Sequence, residues 1–468
     1  MSRTKRLLVL SLAACAALPG ALDAQQGRPA YPRLDYVHET LPNGLNVIYH
    51  VDRSSPVAAV DVWYNVGSKH EVQGKTGFAH LFEHVMFMGS RNLTPRQHNQ
   101  LLEAAGGRGG TDINGTTSQD RTNYFEQVPS NQLELALWLE ADRMGTLLET
   151  LNVDKLDRQR DIVKNERRVR IDNQPYGIWN EKLLTYMFPQ GHPYHHSVIG
   201  SMEDLSAATL DDVRSFFQTY YAPNNAVLVI AGDIDVDQAK ALVRKHFGDI
   251  PRGPDAPPLR DAGLPALLGA SHREVVQDAN APAPAVYVGF RVPSARDPRS
   301  VAASLMASML AGGRASPMYG SLVREQGIAT QVFAGTMDLL EGADVMIFGA
   351  IGKPGASADS LEQALLAEIA RAPQLLNQAT LDRVRTQRRF GFINGLQSTG
   401  GFGGKADLFA EAWTYYRDPN WVNTILPRLD AVTLQQVQQL ANERLVPNNR
   451  AVLVFVPRPA TANPTGDQ

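Results

Sequence analysis

The stretch "TLDDVRSFFQTYYAPNNAVLVIAGD", residues 209–233, recurs near the other end of the chain as "TLQQVQQLANERLVPNNRAVLVFVP", residues 433–457. The offset is constant (433 − 209 = 224), and the Pro-Asn-Asn at 223–225 maps onto the Pro-Asn-Asn at 447–449 with the same offset. Each copy has the pattern of a helix, a turn and a buried strand. The repeat therefore predicts that the chain consists of two homologous halves.

Each predicted half mixes strands with helices. The segments "LNVIYHVD" and "VAAVDVWYNVG" in the first half, and "APAVYVGFRV" and "ADVMIFGAIG" in the second, have the composition of strands. Residues 133–148, 300–310 and 360–370 have a helical pattern. Strands near the start of each half favour the α+β class: two halves that each have a mixed or antiparallel sheet with helices packed on one face.

A stretch rich in Pro and Gly separates the two halves. Residues 250–270, "IPRGPDAPPLRDAGLPALLGA", show no clear period and are typical of a linker. The predicted division of the chain is a leader at 1–24, a first half at 33–252, a linker at 253–272, a second half at 273–459 and a disordered tail at 460–468.

The composition is that of an ordinary globular protein, with 43% hydrophobic and 20% charged residues among 468. A formal net charge of −3 gives no reason to propose a polyanionic partner, so nucleic acid is not predicted as one. After the leader, no segment has the uninterrupted apolar length of a transmembrane helix.

The first residues have the layout of a secretory signal peptide. A basic start at 3–6 precedes an apolar run at 7–18, and the small residue Ala24 offers a cleavage point. We therefore expect export to the periplasm or the exterior. The alternative is a lipoprotein anchored through Cys15, because "LAAC" resembles a lipobox; the apolar run that continues after Cys15 favours cleavage near Ala24.

Cys15 is the only cysteine of the chain. Cleavage near Ala24 would leave a mature protein with no thiol to form a disulfide, bind a metal or act as a nucleophile. A metal site would then have to consist of His, Asp and Glu.

Three polar residues interrupt an apolar helical stretch, "TGFAHLFEHVMFMGS", residues 76–90. His80 and His84 are four residues apart, so both imidazoles project from one helix face, and Glu83 lies beside them. Two such imidazoles can bind one zinc ion, and the adjacent carboxylate can accept a proton from a zinc-activated water. The order H-x-x-E-H is the inverse of H-E-x-x-H. The alternative, hydrogen-bonded core residues, requires partners, because burial without them would cost several kcal/mol.

A catalytic zinc ion needs a third protein ligand. Residues 154–173, "DKLDRQRDIVKNERRVRIDN", have a helical pattern in which Glu166 shares a face with Ile162 and Val163. Glu166 is therefore a candidate third ligand. Spacing alone leaves equally open the alternative that Glu166 is a solvated surface charge.

With these motifs in place, the chain resembles the pitrilysin/insulinase family of zinc metallopeptidases, which includes the mitochondrial processing peptidase. The resemblance covers nearly the whole predicted mature chain. The segments that follow the family's order are "LPNGLNVIYHVDRSSPVAAVDVWYNVGSKHE", "GFAHLFEHVMFMGS", "GGRGGTDINGTTSQDRTNYFE", "RQRDIVKNERR", "HPYHHSVIG" and "YYAPNNAVLVIAGD".

The resemblance implies one zinc ion per chain, held by His80, His84 and Glu166, with Glu83 as the general base. In the family pattern E-R-x-V-x-x-x-E, the first Glu corresponds to Gln159 here. Where the family has a carboxylate that orients the site, this chain would have a neutral amide. We expect this difference to weaken the site rather than abolish it.

The resemblance also implies residues that contact the substrate. Asn114 and Gly115 match a strand whose backbone pairs with the substrate peptide, whereas the residues by themselves favour a turn, because Asn-Gly is a typical turn dipeptide. Arg324 matches an Arg that holds the substrate carbonyl. Thr330 or Gln331 stands where the family often has a Tyr, so a donor to the oxyanion is missing.

At the level of the whole molecule, the resemblance implies two halves that face each other across a closed chamber. It implies a dimer, with a related non-zinc chain that carries the Arg and Tyr as the favoured partner, and low activity of this chain alone. The Gly-rich segment "GGFGGKADLF", residues 400–409, is interpreted as a flexible loop at the chamber mouth or at the dimer interface.

The function predicted from the sequence is that of an exported zinc metalloendopeptidase, which hydrolyses peptides or small unfolded polypeptides with Glu83 as the general base. The alternative is a non-catalytic peptide-binding or assembly subunit of a related peptidase complex. The intact His80, Glu83 and His84 favour the enzyme, whereas Gln159 and the missing Tyr favour the alternative.

Overall fold

The computed structural model describes residues 31–259 and 263–458. The predicted leader, with Cys15 in it, and the predicted disordered tail lie outside these described residues. Within them, no helix combines the length and the apolar character that crossing a membrane requires.

The first half of the chain forms a six-stranded sheet. Two of its neighbouring strands run parallel and all the others antiparallel. The strands are β1 (Val37–Thr40), β2 (Asn46–Val51), β3 (Val57–Tyr64), β4 (Ile113–Thr117), β5 (Thr122–Pro129) and β6 (Ala226–Gly232). Their order across the sheet is β1-β2-β6-β3-β5-β4, with β2 and β6 as the parallel pair, so β4 forms one edge.

Eight helices belong to the described part of this half, and most of them cover one face of the sheet. They are α1 (Phe78–Val85), α2 (Gln97–Ala104), α3 (Leu133–Thr150), α4 (Val153–Arg167), α5 (Trp179–Met187), α6 (Met202–Ala207), α7 (Leu210–Tyr220) and α8 (Val236–Phe247).

The second half repeats this topology. Its strands are β7 (Ala270–Asp278), β8 (Ala285–Val292), β9 (Ala329–Thr336), β10 (Asp344–Gly352) and β11 (Asn449–Pro457). Their order is β7-β11-β8-β10-β9, which matches β2-β6-β3-β5-β4 strand for strand, and β7 and β11 are the parallel pair. The predicted α+β class with two similar halves is therefore confirmed. Strand β7 begins at Ala270, inside the stretch predicted as a linker, because Ala270 pairs with Asn449.

The described second half has eight helices, and most of them pack against its own sheet. They are α9 (Ser300–Ala311), α10 (Pro317–Tyr319), α11 (Ala358–Ala370), α12 (Ala372–Leu375), α13 (Gln378–Gly395), α14 (Lys405–Tyr416), α15 (Ile425–Ala431) and α16 (Leu434–Arg444).

The Pro-Asn-Asn turn has the same structural role in both halves. The side-chain amide of Asn225 donates to the carbonyl of Tyr220 at 2.8 Å, and that of Asn449 donates to the carbonyl of Arg444 at 2.8 Å. Each asparagine thus joins the end of a helix to the start of the strand that follows. The sequence repeat is a repeat of hydrogen bonding as well as of hydrophobic pattern.

Each sheet also carries a helix from the opposite half on its second face. Helix α5 of the first half packs on the second sheet, where Leu183 lies in one cluster with Tyr287. Helix α14 of the second half packs on the first sheet, where Phe409 lies in one cluster with Trp63. The two halves therefore complete each other's cores.

A buried polar network strengthens this contact between the halves. The Tyr194 hydroxyl donates to Asp120 at 2.6 Å and accepts from the backbone N–H groups of Leu340 and Glu341 at 3.1 and 3.0 Å. The ammonium of Lys69 lies 2.9 Å from Asp120 and 3.2 Å from Glu341. Because the network is satisfied from both sides, it fixes the second half relative to the loop that follows β4.

Candidate metal centre

Helix α1 has an apolar face and a polar face. The apolar face is buried in the core of the first half and consists of Phe78, Leu81, Phe82 and Val85. His80 and His84, one turn apart, have ring centres 4.9 Å from each other and line a cleft on the other side. Burial of the apolar face thus determines where the two imidazoles point.

The N-terminus of α1 is held by a buried carboxylate. Glu71 accepts hydrogen bonds from the backbone N–H groups of Gly77 and Ala79, both at 2.8 Å, and lies 2.9 Å from Nε2 of His196. Gly77 has φ of 88°, and a Cβ there would lie 2.6 Å from the carbonyl oxygen of Ile199. A negative charge at a helix N-terminus is stabilising, so this arrangement fixes the start of the helix.

Helix α4 brings Glu166 to the two imidazoles. Oε2 of Glu166 lies 3.3 Å from Nε2 of His84 and 3.8 Å from Nε2 of His80. The donor atoms of the three residues all lie within 4.8 Å of one another. Two imidazole nitrogens and one carboxylate oxygen around one point form a three-ligand set that suits zinc and leaves a coordination position open. The residues therefore fit a catalytic zinc ion.

The protonation states agree with metal binding. Burial, with His84 next to it, lowers the pKa of His80 to about 4, so this imidazole is neutral at neutral pH. The hydrogen bond with His84 is the largest factor that lowers the pKa of Glu166. A neutral imidazole and an ionised carboxylate are the forms that bind a metal ion.

Glu83 is held beside the triad without belonging to it. The hydroxyl of Thr117, at the end of β4, donates to Oε2 of Glu83 at 2.7 Å. Burial raises the pKa of Glu83, and the Thr117 hydrogen bond opposes that rise. The result is a carboxylate that Thr117 orients through one oxygen and that lines the same cleft as the triad.

The cleft has a volume of about 700 Å³, and the triad and Glu83 lie in its wall. Strand β4 supplies part of another wall, through residues 114–117. Arg170 also lines the cleft and pairs with Oε1 of Glu166 at 2.6 Å, which leaves Oε2 facing the histidines. The space is large enough for several residues of a peptide.

Asn114 and Gly115 lie in a strand and not in a turn. Both belong to β4, where Asn114 is opposite Phe125 of β5. The side-chain oxygen of Asn114 accepts from the N–H of Gly115 at 2.9 Å. The Asn-Gly dipeptide does not form a turn here because β5 pairs with it along its whole length. The interpretation as a turn, which the residues by themselves favoured, is wrong.

Two further candidate residues lie elsewhere. Gln159 is buried, and its amide donates to the sulfur of Met88 at 2.7 Å rather than to any of the three donor residues. Arg324 is exposed in the helical segment Gly320–Glu325, with its guanidinium carbon 5.5 Å from the ring centre of Tyr319. Arg324 is not one of the described residues that line the cleft.

A second group of possible ligands lies in the core of the first half. His98, Glu126 and Glu140 are buried and have donor atoms within 4.8 Å of one another. Here, however, the guanidinium of Arg143 pairs with both carboxylates, at 3.1 Å from Glu126. The positive charge that this cluster needs is thus supplied by the chain itself, and we interpret it as a structural ion-pair network.

The second half carries a different chemistry on the helix that follows its strand β8. Helix α9 comes after β8 as α1 comes after β3, and it carries Ser304 and Ser308. The guanidinium of Arg388, on α13, donates to the two hydroxyls at 2.9 and 2.8 Å. Two hydroxyls and a cationic side chain do not form a metal site.

The sequence did not point to Thr117 or Glu71 as functional residues. Thr117 is 34 positions from Glu83, and Glu71 is 125 positions from His196. No helical or strand periodicity relates such pairs. The one available signal was their position, since both fall inside the motifs "YNVGSKHE" and "TDINGTTS".

Comparison with known proteins places the chain in one family. Residues 46–200 match the family described as Insulinase (Peptidase family M16), and residues 207–388 match the Peptidase M16 inactive domain. The zinc protease PqqE of Helicobacter pylori is 32% identical over 417 residues, which cover 87% of this chain and 88% of that protein.

Two solved structures extend the comparison. The crystal structure of a protease from Helicobacter pylori has a TM-score of 0.83 and 28% sequence identity, and the match covers 91% of this chain and all of that chain. The periplasmic protease PqqL of Escherichia coli has the same fold, with a TM-score of 0.69 and 18% identity. In that case the match covers 92% of this chain but 48% of PqqL.

Proposed function

Because this chain belongs to the insulinase (M16) family of peptidases, we propose that it is a zinc metalloendopeptidase that hydrolyses peptides or small unfolded polypeptides. The observation that carries the proposal is the convergence of His80, His84 and Glu166 in an open cleft, with Glu83 held beside them. One zinc ion per chain would be bound by these three residues.

The chemistry follows from the positions of the side chains. A bound zinc ion would polarise the scissile carbonyl and lower the pKa of the attacking water. Glu83 accepts the proton of that water and passes it to the departing amine. Thr117 keeps Glu83 in the orientation that both transfers need, and the anchored N-terminus of α1 keeps the two histidines in place.

The open edge of β4 is the proposed site of peptide binding. Strand β4 is the last strand of its sheet, so its outer backbone groups can pair with an extended peptide. Asn114 and Gly115 lie on this edge and line the cleft next to Glu83. A peptide bound there would present its backbone carbonyls to the zinc-binding residues.

The protein is proposed to act as a dimer. PqqL is about twice as long as the region that this chain matches, so a single chain of the present length corresponds to half of that fold. Arg324 does not line the cleft of its own chain, which is consistent with an equivalent Arg, and a Tyr, supplied by a second chain. The favoured partner is a related chain without the zinc motif.

Export is proposed from the leader pattern at residues 1–24, with a lipoprotein anchored through Cys15 as the alternative. A related fold occurs in a protein whose structure is described as that of a periplasmic protease. Mass spectrometry of the protein purified from its own membrane and periplasmic fractions distinguishes a free N-terminus near residue 25 from an acylated Cys15.

The deciding experiment is cleavage of an internally quenched peptide library by the zinc-loaded protein. We expect cleavage that is lost on addition of a zinc chelator and in Glu83→Gln, while the zinc content of that variant, measured by mass spectrometry, stays at one ion per chain. Glu203→Gln, at an exposed position on α6, is the matched control and should cleave normally. The protein is assayed by itself and in a mixture with a related chain of the same genome that carries the Arg and the Tyr.

A second candidate function is a non-catalytic peptide-binding or assembly subunit. The observations that favour it are the amide of Gln159, bonded to Met88, and a set of described cleft-lining residues that does not include Arg324. Bound zinc without cleavage, both alone and with the related chain, would contradict the peptidase and support this alternative.

A further inference from the structure

The Gly-rich loop at residues 398–404 joins α13 to α14 and lies against the sheet of the opposite half. The N–H of Gly400 donates to the side-chain oxygen of Gln127 in β5 at 3.0 Å. At the end of the loop, the ammonium of Lys405 pairs with Asp52, and its N–H donates to the carbonyl of Ser398 at 3.0 Å. The loop is thus held by polar contacts at both ends, and the interpretation of it as a flexible loop stays a prediction.

Glycine is required for this path. A Cβ on Gly400 would lie 2.6 Å from Cβ of Ala59, so only glycine lets the loop backbone approach the sheet this closely. Gly401 and Gly403 have φ angles of 75° and 71°, which favour glycine. Phe402 is the one side chain that this run of glycines carries.

Phe402 enters the zinc cleft. Its side chain packs edge-on against Phe125, with ring centres 4.9 Å apart, and the residue remains 59% exposed. Of the described residues that line the cleft, Phe402 alone comes from the second half. A large aromatic group on a loop that is hydrogen-bonded at both ends, and left open to a cleft, is available for an apolar ligand.

The register of β4 shows which part of a peptide Phe402 would meet. Asn114 is opposite Phe125 in the antiparallel pair, so these two side chains share one face of the sheet, and Phe402 stands on that face. Thr117, which bonds Glu83, points to the other face. Phe402 and the zinc-binding helix therefore flank the open edge of β4 from opposite sides.

From this placement, we propose that Phe402 forms the wall of a specificity subsite that selects an apolar side chain of the substrate. This inference rests on the proposed peptidase function. In a peptide paired with β4, successive side chains point to opposite faces. One peptide residue would therefore direct its side chain to the zinc-binding helix. The next residue along the peptide would direct its side chain to Phe402, and this is the residue that the subsite selects.

A role for Phe402 only in fixing the loop would have different consequences. Loss of an anchoring contact changes the stability of the protein or the rate for all peptides alike. Loss of a subsite wall changes the preference at one peptide position and leaves other positions as they were. The test therefore measures a ratio between two peptides and not a single rate.

The first part of the test is the cleavage profile of a mixed peptide library, read by mass spectrometry. We expect the unmodified protein to prefer Phe, Leu or Met at one position next to the scissile bond, and Phe402→Ala to reduce that preference about tenfold in kcat/KM relative to Ala. Phe402→Leu should retain most of it. Phe390→Ala, at an exposed position of α13 away from the cleft, is the matched control and should keep the full preference.

The second part measures binding and does not depend on catalysis. Zinc-loaded Glu83→Gln is titrated with a fluorescein-labelled octapeptide of alternating Thr and Phe and with its Thr and Ala counterpart. We expect the Phe peptide to bind about tenfold more tightly than the Ala peptide. In the double variant that carries Phe402→Ala as well as Glu83→Gln, the ratio of the two dissociation constants should be near one. An unchanged ratio and an unchanged cleavage profile would overturn the subsite. If the unmodified protein cleaves nothing, both alone and with the related chain, the peptidase proposal fails, and the binding ratio still decides the role of Phe402.

Discussion

At the scale of single residues, the candidate centre combines groups that the backbone pattern relates with groups that it does not. His80 and His84 share a face because α1 is a helix. Glu166 reaches the two histidines from α4, and Thr117 reaches Glu83 from β4. The roles proposed for these side chains are distinct: His80, His84 and Glu166 would be the metal donors, and Glu83, which Thr117 orients, would be the proton acceptor.

Thr117→Val removes the hydroxyl that orients Glu83. One hydrogen bond contributes about 0.5–1.5 kcal/mol, so we expect kcat/KM to fall up to about tenfold while the zinc content stays unchanged. Thr116→Val is the positional control, because the hydroxyl of Thr116 bonds Asn123 and not Glu83. Equal losses in the two variants would contradict the orienting role.

Asp344 provides a prediction on stability. The residue is 2% exposed, and burial of its carboxyl group, with Asp338 nearby, raises its pKa to about 8. Because the folded state holds the proton more tightly than the unfolded state, the stability associated with this group decreases as the pH rises from about 4 to about 8.

Asp344→Asn removes this titration, and its amide oxygen can still accept from the N–H groups of Leu339 and Val345. We expect the melting temperature of the variant to fall less between pH 5 and pH 8 than that of the unmodified protein, as measured by differential scanning calorimetry. Parallel curves for the two proteins would show that Asp344 is ionised in the folded state throughout this range.

At the scale of elements, the position of α1 depends on contacts at its first turn. A helix of eight residues satisfies few of its own backbone groups, and Glu71 supplies acceptors for two of the N–H groups at its start. This anchor, together with α1, α4 and β4, belongs to the first half of the chain. The exact bounds proposed for the two halves, residues 33–252 and 273–459, stay a prediction.

Glu71→Gln turns one acceptor into a donor that faces the N–H groups of α1. Leaving buried donors unsatisfied costs about 1–3 kcal/mol, so we expect a lower melting temperature and a weaker affinity for zinc in a competition titration with a chromophoric chelator. Glu203→Gln, at an exposed position, is the control. A variant with lower stability but unchanged zinc affinity would show that Glu71 does not position the histidines.

At the scale of the whole molecule, the exchange of α5 and α14 makes each half part of the other's core. Phe409 of the second half is fully buried against the sheet that carries the candidate centre. Such a contact should unite the two halves in one cooperative unit, because neither sheet can cover its second face alone.

Phe409→Ala should therefore destabilise both halves. The loss of a buried phenylalanine costs about 3–5 kcal/mol, and we expect the urea midpoint to decrease while circular dichroism and tryptophan fluorescence still change together. Phe390→Ala, at a position that is 70% exposed, should leave the midpoint within about 0.5 kcal/mol of the original stability. Two separate transitions, with only the second half affected, would contradict a shared core.

The order of the amino acids was enough to predict the features that depend on local geometry. The repeat at a constant offset predicted two similar α+β halves, and the spacing of His80 and His84 put both on one face of a helix, because backbone hydrogen bonding sets these periods. Only the packing of distant elements determined that Glu166 faces the histidines, that Asn114 and Gly115 lie in an edge strand, and that Phe402 enters the cleft. The loop of Phe402 is held by a contact between residues 273 positions apart. Such contacts result from packing of whole elements, which no local period encodes.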